Sequence, residues 1–317
     1  MLVAKVYGDS DKGLVRTNNE DAFIAQEIWD DSHWLLVVID GLGGYEGGEV
    51  AASISRETIL QAVEEMKGKD CLDAIMQAVT DANNAIFNQR NSEEGLSDMG
   101  CVITAAILDL EKNQLNVAHV GDTRLYQLDS NGLSKLTHDH SFVGALEDEG
   151  RISEEDAMHH PRRNLIDRIV GDELKEIETP RFIEAAVFPV AKGNQYLLCS
   201  DGLSDMLSSA EIYSVLQKGV NVKKKVNQLI EAANNNGGKD NITVIVASID
   251  SEQAKMNIRD NLTVQVGKKK KKQKKNNYKQ SSPPKNESVD RFYKIGFLAM
   301  IIIIVILVVS LLIHSKL

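Results

Sequence analysis

An apolar run that ends in an acidic residue and a cluster of glycines constrains the fold of this chain most strongly. Residues 35–39 read Leu-Leu-Val-Val-Ile, which is the length and β-branched content of a strand buried on both faces. Asp40 follows directly, and glycines stand at 41, 43, 44, 47 and 48. Such a strand delivers its last residue to a sheet edge, where a buried carboxylate needs a partner. On this stretch alone, an ordinary Asp-Gly turn explains the pattern as well as a binding loop does.

Further strands and helices are predicted in blocks along the first 250 residues. Strand patterns cover 2–7, 22–28, 101–110, 114–120, 123–128, 182–187, 195–200 and 242–249, and helical spacing covers 49–67, 71–88, 208–217 and 222–234. The three short strands between 101 and 128 predict a meander. Because strands and helices do not alternate one by one, we predict an α+β sandwich of sheets covered by helices. The polar segment 141–171, where Ser153 and Asp156 have capping-box spacing, is expected to form a mobile surface flap.

Charge is distributed very unevenly. Residues 1–250 contain 22 Lys and Arg against 42 Asp and Glu, whereas residues 251–317 contain 14 against 4. So acidic an N-terminal part argues against nucleic-acid binding and leaves many carboxylates for metal ligation. The cysteines, Cys71, Cys101 and Cys199, are odd in number and lack Cys-x-x-Cys spacing, so we predict reduced thiols in the core. None has an arginine six residues later, which excludes catalysis by a cysteine thiolate with an arginine at that spacing.

The C-terminal part predicts a membrane anchor. Residues 295–313 are free of charged side chains and, as a helix, would span roughly 28 Å. We predict a lysine-rich linker at 251–290 and a transmembrane helix with a short tail at 291–317. Lysines and arginines on the N-terminal side of the helix predict that residues 1–290, including the domain at 1–250, lie in the cytoplasm of a single-pass cell-membrane protein. The linker lysines are expected to contact anionic lipids.

Three further acidic residues repeat the situation of Asp40. Asp122, Asp201 and Asp240 each stand at the end of an apolar strand or in its turn, beside glycine or asparagine. A single carboxylate of this kind is usually a cap or an ion-pair partner, but four that converge would repel one another unless cations lie among them. Oxygen ligands favour Mg²⁺ or Mn²⁺ over Zn²⁺. The His138 to His140 and His159-His160 pairs are expected to have ordinary polar roles.

The order of these motifs resembles the metal-dependent type 2C serine/threonine protein phosphatases. The motifs are Arg16-x-x-x-Glu20-Asp21, Asp40-Gly41-x-Gly43-Gly44, Met99-Gly100, Gly121-Asp122-x-Arg124, Ser200-Asp201-Gly202-x-x-Asp205 and Gly238-x-Asp240-Asn241, all in sequence order. The resemblance covers residues 5 to 250. It implies a four-layer αββα sandwich with two metal ions at one end.

The resemblance also implies roles for the residues around the metals. Asp40 would bridge both ions, the Gly41 carbonyl would bind the second, and Asp201 and Asp240 would bind the first. Asn241 would support these ligands from beside Asp240.

A second group of residues completes the implied site. Glu20 or Asp21 would hold waters of the second metal. Asp122, with Asp201 and Asp205, resembles a third metal site of bacterial members of the family.

The implied activity is hydrolysis of phosphoserine and phosphothreonine in proteins by metal-activated water. Arg16 would bind the substrate phosphate, because its guanidinium fork suits two oxygens. Leu42 stands where many eukaryotic relatives have a histidine, so the leaving group would be protonated by water or another group. Expected partners are phosphoprotein substrates and an opposing serine/threonine kinase. The alternative is a non-catalytic, membrane-anchored binding module of the same fold.

Overall fold

The computed structural model describes residues 1–43, 47–92, 95–177, 179 and 181–251. Across these residues, no helix is both long enough and apolar enough to cross a membrane. The transmembrane helix predicted at 295–313 lies outside the described residues, as does a further strand that the sequence suggests at 261–266.

Two antiparallel sheets form the centre of the described chain. In chain order the strands are β1 (Leu2–Asp11), β2 (Asp21–Ile28), β3 (His33–Leu42), β4 (Gly100–Asp109), β5 (Gln114–Val120), β6 (Arg124–Asp129), β7 (Gly132–Lys135), β8 (Glu184–Pro189), β9 (Gln195–Cys199) and β10 (Ile242–Ser251). One sheet has the order β2-β3-β4-β5-β8, and the other has the order β1-β10-β9-β6-β7.

Helices cover the outer faces of these sheets or join their strands. They are α1 (Gly47–Glu65), α2 (Cys71–Ser92), α3 (Phe142–Asp148), α4 (Glu154–Met158), α5 (Asp201–Ser204), α6 (Ser209–Leu216) and α7 (Val222–Asn235).

The apolar run of β3 shows how the layers are built. Successive side chains of a strand point to opposite faces. Leu35, Val37 and Ile39 accordingly join a core that includes the buried faces of α1 and α2. Leu36 and Val38 face the other way, into a core shared with β9 and β10. The strand is apolar throughout because both of its faces are buried.

The opposite sheet follows the same rule. Val244 and Val246 of β10 pack with Leu229 of α7 and other residues of the helices on that side. Ile245 of β10 instead joins the core between the sheets. The layers therefore run helix, sheet, sheet, helix, and the predicted α+β sandwich of helix-covered sheets is confirmed.

The predicted meander between 101 and 128 is wrong in its last step. β4 and β5 are neighbours, but β6 pairs with β9 and β7 in the other sheet, and β8 takes the place beside β5. Gly121 lies at the crossing with a φ of 109°, and a Cβ at this position would come within 2.1 Å of Val102 Cγ1. The glycine lets the chain turn closely past β4 into the second sheet, which the spacing of the strands does not reveal.

The predicted flap contains two short helices and is attached to the rest of the domain. Ser153 and Asp156 form the capping box expected from their spacing. A single bridge joins Val170 of the segment to Cys101 of β4, and a second one, between Ser141 and Ile166, lies within the segment. The C-terminal end of the segment is therefore held against the start of β4.

Candidate active site

The predicted acidic residues meet at one end of the two sheets. Asp40 ends the apolar run of β3, and the register of β2 places Asp21 directly opposite it. Asp201 begins α5 immediately after β9, and Asp240 lies just before β10. Asp122 follows β5 at the same end. Strand ends from both sheets thus bring together residues that are far apart in the sequence.

A cavity of about 190 Å³ opens among these residues. Every predicted site residue lines it except Asp21 and Asp205. A space of this size holds several waters or ions. The geometry therefore assembles most of the predicted site around one enclosed volume.

Asp40 and Asp201 have the most perturbed carboxyl groups at the cavity. Burial raises the pKa of Asp40 well above its usual value, and the nearby carboxylates of Asp21 and Asp201 raise it further. Burial, followed by the charges of Asp122 and Asp205, likewise raises the pKa of Asp201. Asp201 Oδ1 is buried without a hydrogen-bond partner. An orphaned carboxylate oxygen among like charges is the environment that a bound cation stabilises.

Glu20 and Asp21, which the sequence leaves as alternatives, occupy different environments. Asp21 Oδ2 accepts hydrogen bonds from Ser200 Oγ at 2.8 Å and from Thr243 Oγ1 at 2.6 Å. Burial raises the pKa of Asp21 to about 6 although these two hydroxyl groups lower it. Glu20 lines the cavity, whereas the Asp21 carboxylate is held by hydroxyl groups beside Asp40.

Arg16 and Asn241 connect the N-terminal loop to Asp240. Arg16 Nη2 lies 2.6 Å from Asp240 Oδ2, and both side chains keep some solvent exposure. The guanidinium has five N–H donors, so this contact leaves others for a ligand. Asn241 Nδ2 donates to the carbonyls of Lys12 and Asn18, and its Oδ1 accepts from Glu20 N. Asn241 therefore fixes the loop that carries Arg16 and Glu20.

Asp122 and Asp205 adjoin a second, smaller cavity of about 30 Å³, which Asp201 also lines. Burial, with the charges of Asp139 and Asp205, raises the pKa of Asp122 to about 7. Asp205 accepts a hydrogen bond from Arg163 Nε at 2.9 Å. The three carboxylates of the predicted third site are therefore close together, but Asp205 is already paired with a side chain of the 141–171 segment.

Gly41 occupies a position that no larger residue fits. A Cβ on Gly41 would come within 2.2 Å of Gly48 O and 2.5 Å of Glu20 O, both of which are backbone atoms. Gly41 N also donates to Glu20 O at 3.1 Å. The glycine thus allows three backbone segments to meet at the cavity.

Sequence reasoning missed part of the cavity wall. Asn164 and Ile166, from the 141–171 segment, line the cavity. Their residue types carry no signal, because an isolated asparagine in a polar loop is ordinary. Arg163 belongs to an Arg-Arg pair that the sequence does show, but its pairing with Asp205 depends on how the segment folds back.

The fold and the site define a sandwich of two antiparallel sheets that carries an oxygen-rich acidic site at one end. Comparison with known families identifies the class. The family model described as protein phosphatase 2C matches residues 15–246. The chain belongs to the protein phosphatase 2C family.

Two similar curated proteins come from bacteria. The serine/threonine protein phosphatase PstP of Mycobacterium tuberculosis is 39% identical over 249 residues, which cover 78% of this chain and 45% of PstP. The chain thus matches about half the length of PstP. The serine/threonine phosphatase stp of Listeria welshimeri is 36% identical over 241 residues, covering 75% of this chain and 92% of stp.

Two solved structures of a serine/threonine phosphatase are similar to this chain in both fold and sequence. The crystal structure of M. tuberculosis PstP/Ppp has a TM-score of 0.69 and 38% identity, covering 78% of this chain and all of that one. A structure of the PstP catalytic domain in complex with two manganese ions has a TM-score of 0.68 and 36% identity, covering 79% of this chain and all of that one.

Proposed function

We propose that this protein is a Mn²⁺- or Mg²⁺-dependent phosphatase that hydrolyses phosphoserine and phosphothreonine in proteins. The observation that carries the proposal is the cavity in which Asp40, Asp201 and Asp240 converge with Glu20, with Asp201 Oδ1 left unpartnered. Family membership and the two manganese ions of the PstP catalytic domain support this assignment.

The donor set of the cavity fits hard divalent cations. Carboxylate and backbone carbonyl oxygens are the ligands that Mg²⁺ and Mn²⁺ prefer. Asp40, the Gly41 carbonyl, Asp201 and Asp240 are the residues that would hold two such ions, and Asp122, Asp201 and Asp205 would hold a third. When bound, the pair of ions supplies a water of lowered pKa and neutralises charge on the phosphate.

The protein's own residues perform the remaining tasks. Arg16 lies at the rim of the cavity and directs guanidinium donors toward a phosphate bound there. Glu20 accepts hydrogen bonds from water in the cavity, and Asn241 holds the backbone of Glu20 in place through the Glu20 N–H. Asp21, anchored by Ser200 and Thr243, keeps a negative charge beside Asp40 that favours cation binding.

Hydrolysis of a phosphothreonine peptide tests the proposal. The full-length protein should release phosphate with Mn²⁺ and stop when excess EDTA is added. Asp40→Asn should lose activity while remaining folded, whereas Asp129→Asn, a matched change at the end of β6, should keep it. Full activity in EDTA, or an active Asp40→Asn protein, would contradict the proposal.

We further propose that the protein acts at the cytoplasmic face of the cell membrane, against a serine/threonine kinase. The support is the uncharged run at 295–313 and the lysines that precede it. Membrane fractionation of the full chain tests the anchor. Replacing Ile302 and Leu307 together by lysine should release the protein from the membrane fraction, and an unchanged distribution would refute the anchor. Comparing the phosphoproteomes of cells with the active protein and of cells with the Asp40→Asn protein would reveal the sites that an opposing kinase phosphorylates.

The rival function is a non-catalytic module that uses the same fold for binding. The closely spaced carboxylates of the cavity argue against it, since a protein without cations gains nothing from holding like charges together. Binding of Mn²⁺ without hydrolysis of any phosphopeptide would favour the module.

A further inference from the structure

A second group of metal-ligand side chains lies at the opposite end of the β3 and β4 strands. His33 begins β3, Asp109 ends β4, and Cys71 begins α2. One ligand atom from each of these residues lies within 4.8 Å of the others. Cys71 and Asp109 are almost fully buried, at 3% and 1% exposure. Asp40 lies near the other end of the same β3 strand, so this group is separate from the candidate active site.

A hydrogen bond to Asp30 orients the His33 ring so that Nε2 faces the group. His33 Nδ1 lies 2.7 Å from Asp30 Oδ1, and the hydrogen bond from His33 lowers the pKa of Asp30. An ionised carboxylate only accepts, so Nδ1 carries the proton and the neutral ring has its lone pair on Nε2. His33 Nε2 then faces Asp109 Oδ1 at 3.7 Å, which is too long for a hydrogen bond. Carboxylate, histidine and an open ring nitrogen in this order form the arrangement that orients histidine ligands in zinc sites.

The distances from His33 and from Cys71 to the two oxygens of the Asp109 carboxylate are compatible with one zinc ion, and all three ligand atoms lie within 4.8 Å of one another. Zinc bonds of about 2.0–2.3 Å to nitrogen, oxygen and sulfur place two ligand atoms about 3.3–3.8 Å apart. The distance is 3.7 Å from His33 Nε2 to Asp109 Oδ1, and the Cys71 thiol donates a hydrogen bond of 3.8 Å to Asp109 Oδ2, which a bound ion would replace. The backbone N–H groups of Glu111 and Lys112 also hold Asp109 Oδ1 in place. Only small side-chain movements are needed to close the three ligands around a cation.

The charges around the group are compatible with a divalent ion. A thiolate from Cys71 and a carboxylate from Asp109 balance the two charges of Zn²⁺, while His33 stays neutral. Burial, followed by the charge of Asp109, raises the pKa of the Cys71 thiol, so the thiolate forms only when a cation takes the place of the proton. Lys112 Nζ lies 3.8 Å from Asp109 Oδ2 and 3.9 Å from Asp70 Oδ2, on a half-exposed side chain that can turn toward Asp70.

The other histidine-containing group of the described residues is occupied by internal hydrogen bonds. His119, His140 and Glu184 also have ligand atoms within 4.8 Å. However, His119 contacts Thr104 Oγ1 through Nδ1 and the His138 carbonyl through Nε2, and His140 Nδ1 accepts from Gly121 N. These contacts give the group a structural role.

We propose that His33, Cys71 and Asp109 form a Zn²⁺ site that is distinct from the candidate active site. Binding replaces the thiol proton of Cys71 by a zinc–sulfur bond, and one proton is released to solvent. The ion would join the start of β3, the end of β4 and the first turn of α2. The fourth position of the tetrahedron would be filled by water. This inference does not rest on the proposed phosphatase activity.

Cobalt absorption tests the site through its sulfur ligand. Co²⁺ is titrated into the full-length protein after chelator treatment, in a reductant that is not a thiol. A thiolate-to-cobalt charge-transfer band in the near ultraviolet should grow to one equivalent and disappear when Zn²⁺ is added. Oxygen ligands of the candidate active site cannot produce this band. Absence of the band in the wild-type protein would overturn the proposal.

Variants assign the band to individual residues. Cys71→Ser should abolish it, and Cys199→Ser, an equally buried thiol in β9, should leave it unchanged. A band that survives Cys71→Ser would refute the site. If Cys71→Ser does not fold, His33→Asn provides the decision, because it keeps the thiol but should weaken cobalt binding at least tenfold. Asp30→Asn, at an exposed position, should weaken binding by about 10- to 100-fold by freeing the His33 ring. Unchanged affinity in His33→Asn would contradict the proposal.

Discussion

Replacing Arg16 by alanine separates a role in substrate binding from a role in stability. The Arg16 side chain is 48% exposed, and its partner Asp240 is 29% exposed. An ion pair with this exposure contributes about 0–1 kcal/mol to stability, because water screens it. The free energy of unfolding of Arg16→Ala should therefore differ from that of the wild type by less than about 1 kcal/mol.

The loss in catalysis should be larger than the loss in stability. A guanidinium that binds a phosphate in the cavity makes at least one charge-assisted hydrogen bond, worth about 1.5–3 kcal/mol. Losing it corresponds to a decrease of about 10- to 150-fold in kcat/KM. Arg16→Lys keeps the charge but not the planar fork, so it should recover only part of the loss.

Two measurements on the same protein check this reasoning. Phosphopeptide hydrolysis at saturating Mn²⁺ gives kcat/KM, and urea unfolding gives the free energy of unfolding. Arg151→Ala, which removes an exposed arginine paired with Glu149, is the control and should change neither quantity. An Arg16→Ala protein with wild-type kcat/KM would refute the phosphate-binding role. A loss of several kcal/mol in stability would show that the Asp240 pair is a structural contact.

Three further predictions concern the site and its surroundings. Gly41→Ala should abolish Mn²⁺-dependent hydrolysis and lower the free energy of unfolding, measured in urea, by about 1–3 kcal/mol or more. The reason is that the added Cβ would overlap Gly48 O and Glu20 O. Normal activity of this variant would contradict the packing argument. Asp139→Asn should cost about 3–5 kcal/mol at neutral pH, because Arg124 and Asp139, only 12% and 5% exposed, form a buried ion pair. Burial acts to raise the pKa of Asp139, but Arg124 holds this pKa below its usual value. The stability that the ion pair contributes is therefore fully present above about pH 4, the usual pKa of an aspartate. It is lost as the pH falls through the lower pKa of Asp139 in the folded protein. The difference between variant and wild type in urea unfolding should therefore narrow in acid, and a constant difference would contradict the ion-pair explanation. Mn²⁺ at 100 times its Kd should stabilise the protein by about 2.7 kcal/mol, measured as a rise in Tm that EDTA reverses. The Asp40→Asn protein should not show this rise, and an equal rise in Asp40→Asn would mean that the ion binds elsewhere.

Local sequence patterns predicted the individual elements well. The strand at 35–39, the helices from Glu49 and Cys71, and the strand at 242–249 all appear within a few residues of their predicted bounds. These predictions succeed because side-chain direction alternates in strands and repeats every three to four residues in helices. The three cysteines are buried and free, as their spacing indicated. The short strand β7 was missed because its four residues are too few to show a period.

The sequence by itself determined which residues could meet at the cavity, because acidic residues beside glycine or asparagine that follow apolar strands lie at the ends of those strands. Only the tertiary structure shows which contacts each of them makes. Glu20 lines the cavity, whereas Asp21 accepts hydrogen bonds from the hydroxyl groups of Ser200 and Thr243. A carboxylate's direction depends on neighbours supplied by distant strands, so local spacing could not distinguish the two.

The same limit explains the crossing at Gly121 and the group formed by His33, Cys71 and Asp109. Cys71 and Asp109 are 38 residues apart, and no local motif joins them. They meet because α2 packs across the sheet at the end of β4, and this packing is set by the burial of whole faces. Local patterns determine the elements of this fold, whereas contacts between distant elements determine which of their side chains can act together.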